Sequence, residues 1–242
     1  MSRSIPVKTT QIFHGTKEFS CPYLDGKIER KVITELCEPD AEELYDSLSI
    51  AGFRRSHNVA YRPACPDCNA CVPVRIEVNN FFWTKSFKRT LKRNNDLFSM
   101  NLEARATLEQ YHLFQTYQQS RHSGGEMENM RYIDYKAMIE QSPIETHTIE
   151  FRQKHNQKLV AVLLADYQSD SVSAVYSFYD ITNSERSLGT YMVLWTVKLA
   201  KFLNKKFVYL GYWVEKSPKM AYKTRFKPLE GLGPKGWEII NL

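Results

Sequence analysis

His147-Thr-Ile-Glu-Phe-Arg-Gln153, Lys158-Leu-Val-Ala-Val-Leu-Leu-Ala-Asp-Tyr-Gln168 and Val172-Ser-Ala-Val-Tyr-Ser-Phe-Tyr-Asp180 are three β-rich stretches joined by short polar connections. The middle one holds the longest apolar run of the chain, Leu159-Val-Ala-Val-Leu-Leu-Ala165. It is far shorter than the ~20 residues that span a bilayer, and it reads as a buried strand. Three such stretches in succession predict an antiparallel meander. Ser187-Leu-Gly-Thr-Tyr191 then opens a helix expected over 187–204, followed by a strand over Phe207–Trp213 and a short helix over 218–226.

Three strands, a helix, a strand and a helix form the core pattern of the GNAT acyltransferase fold. The expected class is α+β, with a GNAT-like core in residues 101–242 and an N-terminal, cysteine-containing α/β domain in residues 1–100. In such a core the strand ending at Tyr179 and Asp180 faces the helix start at Ser187. Backbone N–H groups at a helix N-terminus favour anions, and Gly189 permits close approach. Only Arg186 and Gly189 resemble the glycine-rich pyrophosphate loop of CoA-using proteins, and a fold does not fix a function.

The N-terminal part reads less regularly. A strand is expected over 28–34, and Asp40-Ala-Glu-Glu43 opens a helix that puts Leu44, Tyr45 and Leu48 on one face before Gly52 stops it. The stretch 52–71 is expected as an irregular loop pinned by prolines, leading into a strand over 72–78. Residues 83–99 are basic, with helix around 90–95. Thr107-Leu-Glu-Gln110 is a capping box that starts another helix, and a further helix is expected over 131–141.

The 242 residues are 43% hydrophobic and 25% charged, ordinary values for a globular chain. Met1-Ser-Arg-Ser-Ile-Pro6 lacks the apolar segment of a secretory signal. Five cysteines without such a signal point to a reducing, cytoplasmic setting, where thiols serve metals or packing. The net charge of +6 is local: residues 54–93 hold nine Lys/Arg against Asp67 and Glu77, and the rest of the chain is nearly balanced. A one-sign block beside Phe81, Phe82, Trp83 and Phe87 suits an RNA surface, with Lys88, Arg89, Lys92 and Arg93 as its candidate contacts. A solvated basic loop is the alternative. Neither a membrane nor DNA is expected as a partner.

Gly52-Phe-Arg-Arg-Ser56, Tyr61-Arg-Pro63 and the run Cys65, Cys68, Cys71 resemble the arginyl-tRNA–protein transferases, in their short bacterial branch of aspartate/glutamate leucyltransferases. Ser177-Phe-Tyr-Asp180 with Ser187-Leu-Gly-Thr-Tyr191, and Gly211-Tyr-Trp-Val214 with Lys219-Met-Ala-Tyr-Lys-Thr-Arg-Phe-Lys-Pro228, are similar to the same family. The resemblance covers residues 21–228. It implies an enzyme of the N-degron pathway that adds leucine from leucyl-tRNA to the α-amine of proteins starting with Asp or Glu, with no cofactor required for the transfer. The partners implied are aminoacyl-tRNA and such acceptor proteins. The alternatives are an arginyl donor, a CoA-dependent N-acetyltransferase, or a non-catalytic zinc-knuckle RNA-binding protein.

On this resemblance Asp180 and Tyr179 are the candidate catalytic residues, although an Asp in that place also serves as a plain turn former. Ser187 and Gly189 would take the donor. Arg54, Arg55, Arg62 and Arg75 would supply the cationic pocket for an acidic acceptor, since guanidinium grips carboxylate with two parallel hydrogen bonds. Cys-x2-Cys-x2-Cys offers three ligands where a tetrahedral site needs four, and Cys21 is the candidate fourth. With Cys65, Cys68 and Cys71 it would hold zinc or an iron–sulfur cluster. The early Cys-x2-Cys pair of the eukaryotic relatives is absent, because Leu24 stands in its second position.

Overall fold

The apolar run 159–165 lies in the interior of the largest sheet, and both of its faces are covered. The computed structural model describes residues 10–37 and 39–241; the segment 1–6, read above as lacking a signal, lies outside them. The first strands are short: β1 (His14–Gly15), β2 (Phe19–Ser20), β3 (Ile28–Glu29) and β4 (Lys31–Glu35). Helix α1 (Ala41–Ile50) follows, with Ala41, Tyr45 and Leu48 buried on one face. Next come β5 (Arg54–Ser56) and β6 (Val59–Pro63). They pair as an antiparallel hairpin where an irregular loop is expected from sequence, with Arg54 opposite Tyr61 and Ser56 opposite Val59. His57 makes its tight turn in the left-handed region, at φ 55°.

Strand β7 (Val72–Glu77), helix α2 (Lys85–Arg93), strand β8 (Leu97–Glu103) and helices α3 (Leu108–Arg121) and α4 (Tyr132–Glu140) come next. The capping box at Thr107 forms as expected, its hydroxyl accepting from the Gln110 backbone and the Gln110 side chain accepting from Thr107. The meander is β9 (Thr146–Gln153), β10 (Leu159–Tyr167) and β11 (Ser171–Tyr179), followed by α5 (Leu188–Phe202) and β12 (Phe207–Trp213). Residues 221–225 form a 3-10 turn inside the expected short helix, and β13 (Leu229–Gly233) with β14 (Gly236–Ile239) closes the chain as a hairpin that the sequence does not announce.

Eight strands form one sheet in the order β14-β13-β7-β12-β11-β10-β9-β8. All neighbours are antiparallel except β11 and β12. The boundary expected at residues 100–101 falls inside β8, and β7 before it is an interior strand. The two expected units therefore share this sheet. The reason is α2, which carries the chain from β7 to the far edge at β8 while packing on α5. Successive residues of β10 serve opposite layers, as a pleated strand requires. Ala161, Leu163 and Ala165 pack with Leu194 and Val197 of α5. Val162 and Leu164 pack with Phe114 of α3 and Tyr135 of α4. Two covered faces explain why this strand reads as continuous apolar sequence.

A second sheet, β1-β4-β6-β5, rests on α1 over a smaller core of Tyr45, Leu48, Phe53 and Ala60. One buried ion pair ties the sheets together. Arg55 of β5 grips Asp166 of β10 with Nε at 2.9 Å and Nη2 at 2.6 Å, the two side chains being 1% and 0% exposed. Thr146 Oγ1 donates to the same carboxylate at 2.8 Å, and Arg55 Nη1 donates to the His57 carbonyl at 2.8 Å. A buried pair of this kind gains little over a well-packed apolar pair, but breaking one side leaves a charge stranded. Asp166→Ala is expected to lose about 3–5 kcal/mol in urea unfolding. Arg55→Met/Asp166→Leu should recover most of that loss; equal losses in the single and double variants would assign the effect to packing volume.

Candidate active-site cleft

The cleft exists because β11 and β12 begin side by side and then part. Their parallel pairing covers only Ser171–Ser173 against Phe207–Tyr209. Beyond it each strand carries an extra residue. Pairing of β10 with β11 passes from Leu164 opposite Tyr176 to Ala165 opposite Ala174, so Val175 bulges. Pairing of β12 with β7 passes from Tyr209 opposite Arg75 to Gly211 opposite Val74, so Leu210 bulges. Bulges increase local twist and re-aim the strand. Gly211 adopts φ 82°, a conformation that favours glycine.

Helix α5 starts at the open side of this splay, over a cleft of about 470 Å³. Tyr179, Asp180, Ser187 and Gly189 all line it, the four residues that the sequence places in one groove. Ser187 itself is held at φ 52° immediately before the helix, a costly conformation for a residue with a side chain. A Cβ at Gly189 would come within 3.3 Å of the Tyr179 ring, so glycine leaves room for that ring to pack on the first helical turn. Tyr179 also lies against Tyr117, with ring centroids 4.9 Å apart.

Asp180 is firmly anchored. Lys158 Nζ sits 2.9 Å from one carboxylate oxygen, and the other accepts from the Thr182 backbone at 2.9 Å and the Thr182 hydroxyl at 2.6 Å. Partial burial raises its pKa, but the bonds from Lys158 and Thr182 outweigh that and hold it below the usual carboxylate range. It is thus a fixed negative charge and a poor proton acceptor.

The other lining residues are given no role by the sequence. Arg121 and His122 come from the end of α3, and Lys219 and Tyr222 from the segment before β13. Burial lowers the His122 pKa first, and the charges of Lys219 and Arg121 lower it further, so its imidazole is neutral at pH 7. Behind Tyr222, Lys223 is 5% exposed and donates from Nζ to the Tyr212 carbonyl at 2.5 Å. The signal for Lys219, Tyr222 and Lys223 is the family-like segment 219–228, whose individual side chains carry no assigned role.

None of the four arginines expected to form an acceptor pocket lines this cleft. Arg55 is committed to Asp166. Arg75 is committed too: Nε bonds Glu230 at 2.7 Å, and the guanidinium lies over Phe207 at 3.5 Å and Trp237 at 4.2 Å. Arg62 is exposed and donates to the Ala51 carbonyl at 2.9 Å. Arg54 differs. It is 8% exposed, donates from Nη2 to the Ala174 carbonyl at 2.8 Å, and rests against Gly211. It therefore sits in the crotch of the splay, between the two parting strands.

Cys21, Cys65, Cys68 and Cys71 gather in one region. Burial pushes the Cys71 thiol up to about 12, and Cys21, Cys65 and Cys68 add to the shift. Yet among the described residues no three His, Cys, Asp or Glu side chains are placed to hold one ion. Cys65 instead accepts from the Arg30 backbone N–H at 3.5 Å. The donor set has the chemistry of a tetrathiolate site, but its positions do not form a coordination shell.

The basic block takes a definite form in α2. Thr84 caps the helix, and Phe87 is buried between the rings of Phe81 and Phe226. Lys88, Arg89, Lys92 and Arg93 are exposed, and the helix contains no acid. Its C-terminal end is latched to the turn before α5: Arg93 donates to the Glu185 carbonyl, Asn94 Nδ2 to the Arg186 carbonyl at 2.8 Å, and Arg186 pairs with Asp96. Asn183 lines both the cleft and the hollow beside Arg93. The exposed face of α2 therefore reaches the cleft rim through a hollow that also carries Asp96 and Glu185.

Comparison with known proteins gives two family matches. Residues 19–89 match the N terminus of the family described as arginine-tRNA-protein transferase, and residues 109–233 match its C terminus. The aspartate/glutamate leucyltransferase of Paramagnetospirillum magneticum is 50% identical over 233 residues, covering 96% of this chain and 95% of that one. The protein of that name from Rhodospirillum rubrum is 49% identical over 233 residues, with 96% and 94% covered. Its namesake from Granulibacter bethesdensis is 48% identical over 241 residues, with 100% and 90% covered.

If the exposed face of α2 binds RNA, it does so through phosphates, and removing its cations alters the salt dependence. Replacing Lys88, Arg89, Lys92 and Arg93 together by Gln should weaken tRNA binding and flatten the plot of log affinity against log salt by about 0.7–0.9 for each phosphate no longer neutralised. Filter binding across a salt series measures both; an unchanged slope would make the face merely solvated.

Proposed function

The chain belongs to the arginine-tRNA-protein transferase family, and we propose that within it the protein transfers leucine from leucyl-tRNA to the α-amine of proteins that begin with Asp or Glu. The near full-length identity to relatives named for that reaction carries this reading. We read the core as GNAT-like, from the meander, the parallel β12 beside β11, and the helix at their splay. We place the donor's terminal adenosine along the N-terminus of α5, with the leucyl ester beside Tyr179 and Asp180. The function in view is N-terminal tagging for degradation, in the cytoplasm.

The chemistry asks for modest help. The acceptor nitrogen attacks the ester carbonyl, a C–N bond forms, and the C–O bond to the ribose breaks. The ribose oxygen leaves as a hydroxyl, taking up the proton that the amine gives away. An ester becomes an amide, so no nucleotide is hydrolysed. The acceptor amine has a reference pKa of roughly 7.7–8.0, so a useful fraction is neutral at pH 7. Positioning and charge stabilisation remain as the main tasks. Asp180, held by Lys158 and Thr182, suits orientation of the leucyl ammonium. His122, neutral at pH 7, is able to accept the proton.

The lining also bears on the donor. Among the described residues Asp180 is the only acid of the cleft, and the α-ammonium of the aminoacyl group already takes it. An arginyl side chain would need a second acid. Ile181, Leu188, Val193 and Pro218 offer apolar surface that fits leucine.

Purified protein is expected to add leucine, from pre-charged leucyl-tRNA and without ATP, to peptides starting with Asp or Glu. Mass spectrometry of the products decides it. Addition of arginine alone would move the assignment to an arginyl donor, and transfer from acetyl-CoA without tRNA would remove it.

Asp180→Ala should lower kcat/KM for transfer at least tenfold, about 1.4 kcal/mol of transition-state stabilisation, without loss of the fold. Normal turnover in this variant would return Asp180 to a turn-forming role.

A further inference from the structure

Arg54 and Lys223 are both buried, and neither has a counter-ion among the described residues. They are 8% and 5% exposed, and neither joins an ion pair among the described residues. They also attach to consecutive residues of β12. The guanidinium of Arg54 rests on Gly211, close enough that a Cβ there would meet its central carbon at 3.4 Å. Lys223 Nζ donates to the carbonyl of the next residue, Tyr212, at 2.5 Å. Arg54 Nη2 is used by the Ala174 carbonyl, but Nη1 is buried with no hydrogen-bond partner among the described residues.

Such an arrangement is costly unless something completes it. A guanidinium N–H taken out of water without a partner forfeits its hydration. Two cations side by side repel as well. The strain is visible on Lys223, where burial and then the Arg54 charge pull its pKa from 10.5 down to about 7. Elsewhere the protein pairs its buried cations, as in Arg55 with Asp166 and Arg75 with Glu230. Arg54 is the immediate neighbour of Arg55 on β5, yet its guanidinium sits at the splay with Nη1 unpaired among the described residues. An orphan donor and an uncompensated positive charge in one place describe a seat for an anion.

We propose that Arg54 Nη1 and Lys223 Nζ form the seat for the side-chain carboxylate of the acceptor's first residue, at the base of the β11/β12 splay. The proposal rests on the acceptor reading given above and deepens it. The seat meets the cleft at Tyr222. That ring is 43% exposed and lines the cleft, while its hydroxyl lies within electrostatic reach of both Tyr179 and Arg54. Entry beside Tyr222 would suit a carboxylate on a stem of one or two methylenes. A phosphodiester of the tRNA, with chain leaving on two sides, cannot follow it into a buried crotch. The geometry also explains a preference for both Asp and Glu. One methylene changes affinity modestly, whereas a neutral amide leaves the two cations unmatched. With the carboxylate seated in the crotch, the acceptor's α-amine is only a few bonds away, on the side where Tyr179 and Asp180 stand.

The test compares matched peptides starting with Asp and with Asn, using pre-charged leucyl-tRNA. Wild-type protein should prefer the Asp peptide. Lys223→Met should lower kcat/KM for the Asp peptide at least tenfold more than for the Asn peptide, with the loss chiefly in KM for peptide. The KM for leucyl-tRNA should stay unchanged. A merely structural lysine would lower both peptides equally, and that result, or a higher KM for leucyl-tRNA with the peptide ratio intact, overturns the seat while leaving the transfer reaction standing. Wild-type protein that transfers leucine to neither peptide overturns the acceptor reading itself and the seat with it. If Lys223→Met does not fold, a crystal structure of wild-type protein with an Asp-starting dipeptide decides: a carboxylate on Arg54 Nη1 and Lys223 Nζ is expected, and one bound elsewhere overturns the proposal.

Discussion

Two bulges and one arginine govern the shape of the molecule where it matters. Val175 and Leu210 are extra residues in adjacent parallel strands, and they fall at the point where pairing between those strands ends. A sheet cannot simply be pulled apart there, because each freed backbone group requires a partner. Arg54 provides one for the Ala174 carbonyl and fills the gap against Gly211, whose lack of a side chain leaves the room. The N-terminal hairpin thus acts as a wedge driven into the main sheet. Everything that lines the cleft depends on that opening, since α5, the 219–222 segment and the end of β11 converge only because the strands diverge.

The wedge must be held in register, and the adjacent residue does this. On β5 the pleat sends Arg54 and Arg55 in opposite directions. Arg54 goes to the splay, and Arg55 goes to Asp166 in the strand beyond. A fully bonded, dry ion pair fixes orientation more than it adds net stability. Its value here is geometric: it locates β5 relative to β10, and so places Arg54 within the crotch. Similar chemistry on neighbouring residues serves two ends, one pairing consumed within the fold and one left open.

Much of this is legible in sequence, and the reasons for the rest are physical. The meander and α5 stand out because both layers covering β10 are apolar, and because Ser187 and Gly189 punctuate the start of the helix. The grouping of Tyr179, Asp180, Ser187 and Gly189 follows from a strand end facing a helix start. The hairpin β5–β6 is hidden by its arginines and by proline at its end, and β8 by its amphipathic, half-exposed surface. The bulges look like ordinary strand, although Gly211 within an apolar strand is a readable sign of one. The arginines cannot be sorted, because their partners are distant in sequence: Asp166 lies 111 positions from Arg55, and Glu230 lies 155 from Arg75. The shared sheet is hidden for a related reason. A strand such as β7 shows its periodicity but not its neighbours.

The charges left over then acquire a common logic. Outside the cleft, α2 presents cations with no acid among them, on a surface that continues past Arg93 and Asn183 to the rim. At the rim stand Arg121 and Lys219, and beneath it Arg54 and Lys223. Among the described residues the lining has a single acid, Asp180, which Lys158 pairs. On the readings proposed above, a polyanionic donor would be attracted along an exposed, salt-sensitive path, while an acidic acceptor would be drawn to a dry seat where screening is weak. The two substrates carry charge of the same sign and would repel one another if they met in solution. Cations placed at two depths, exposed for the one and buried for the other, would bring both to a single cleft without making them compete for the same groups.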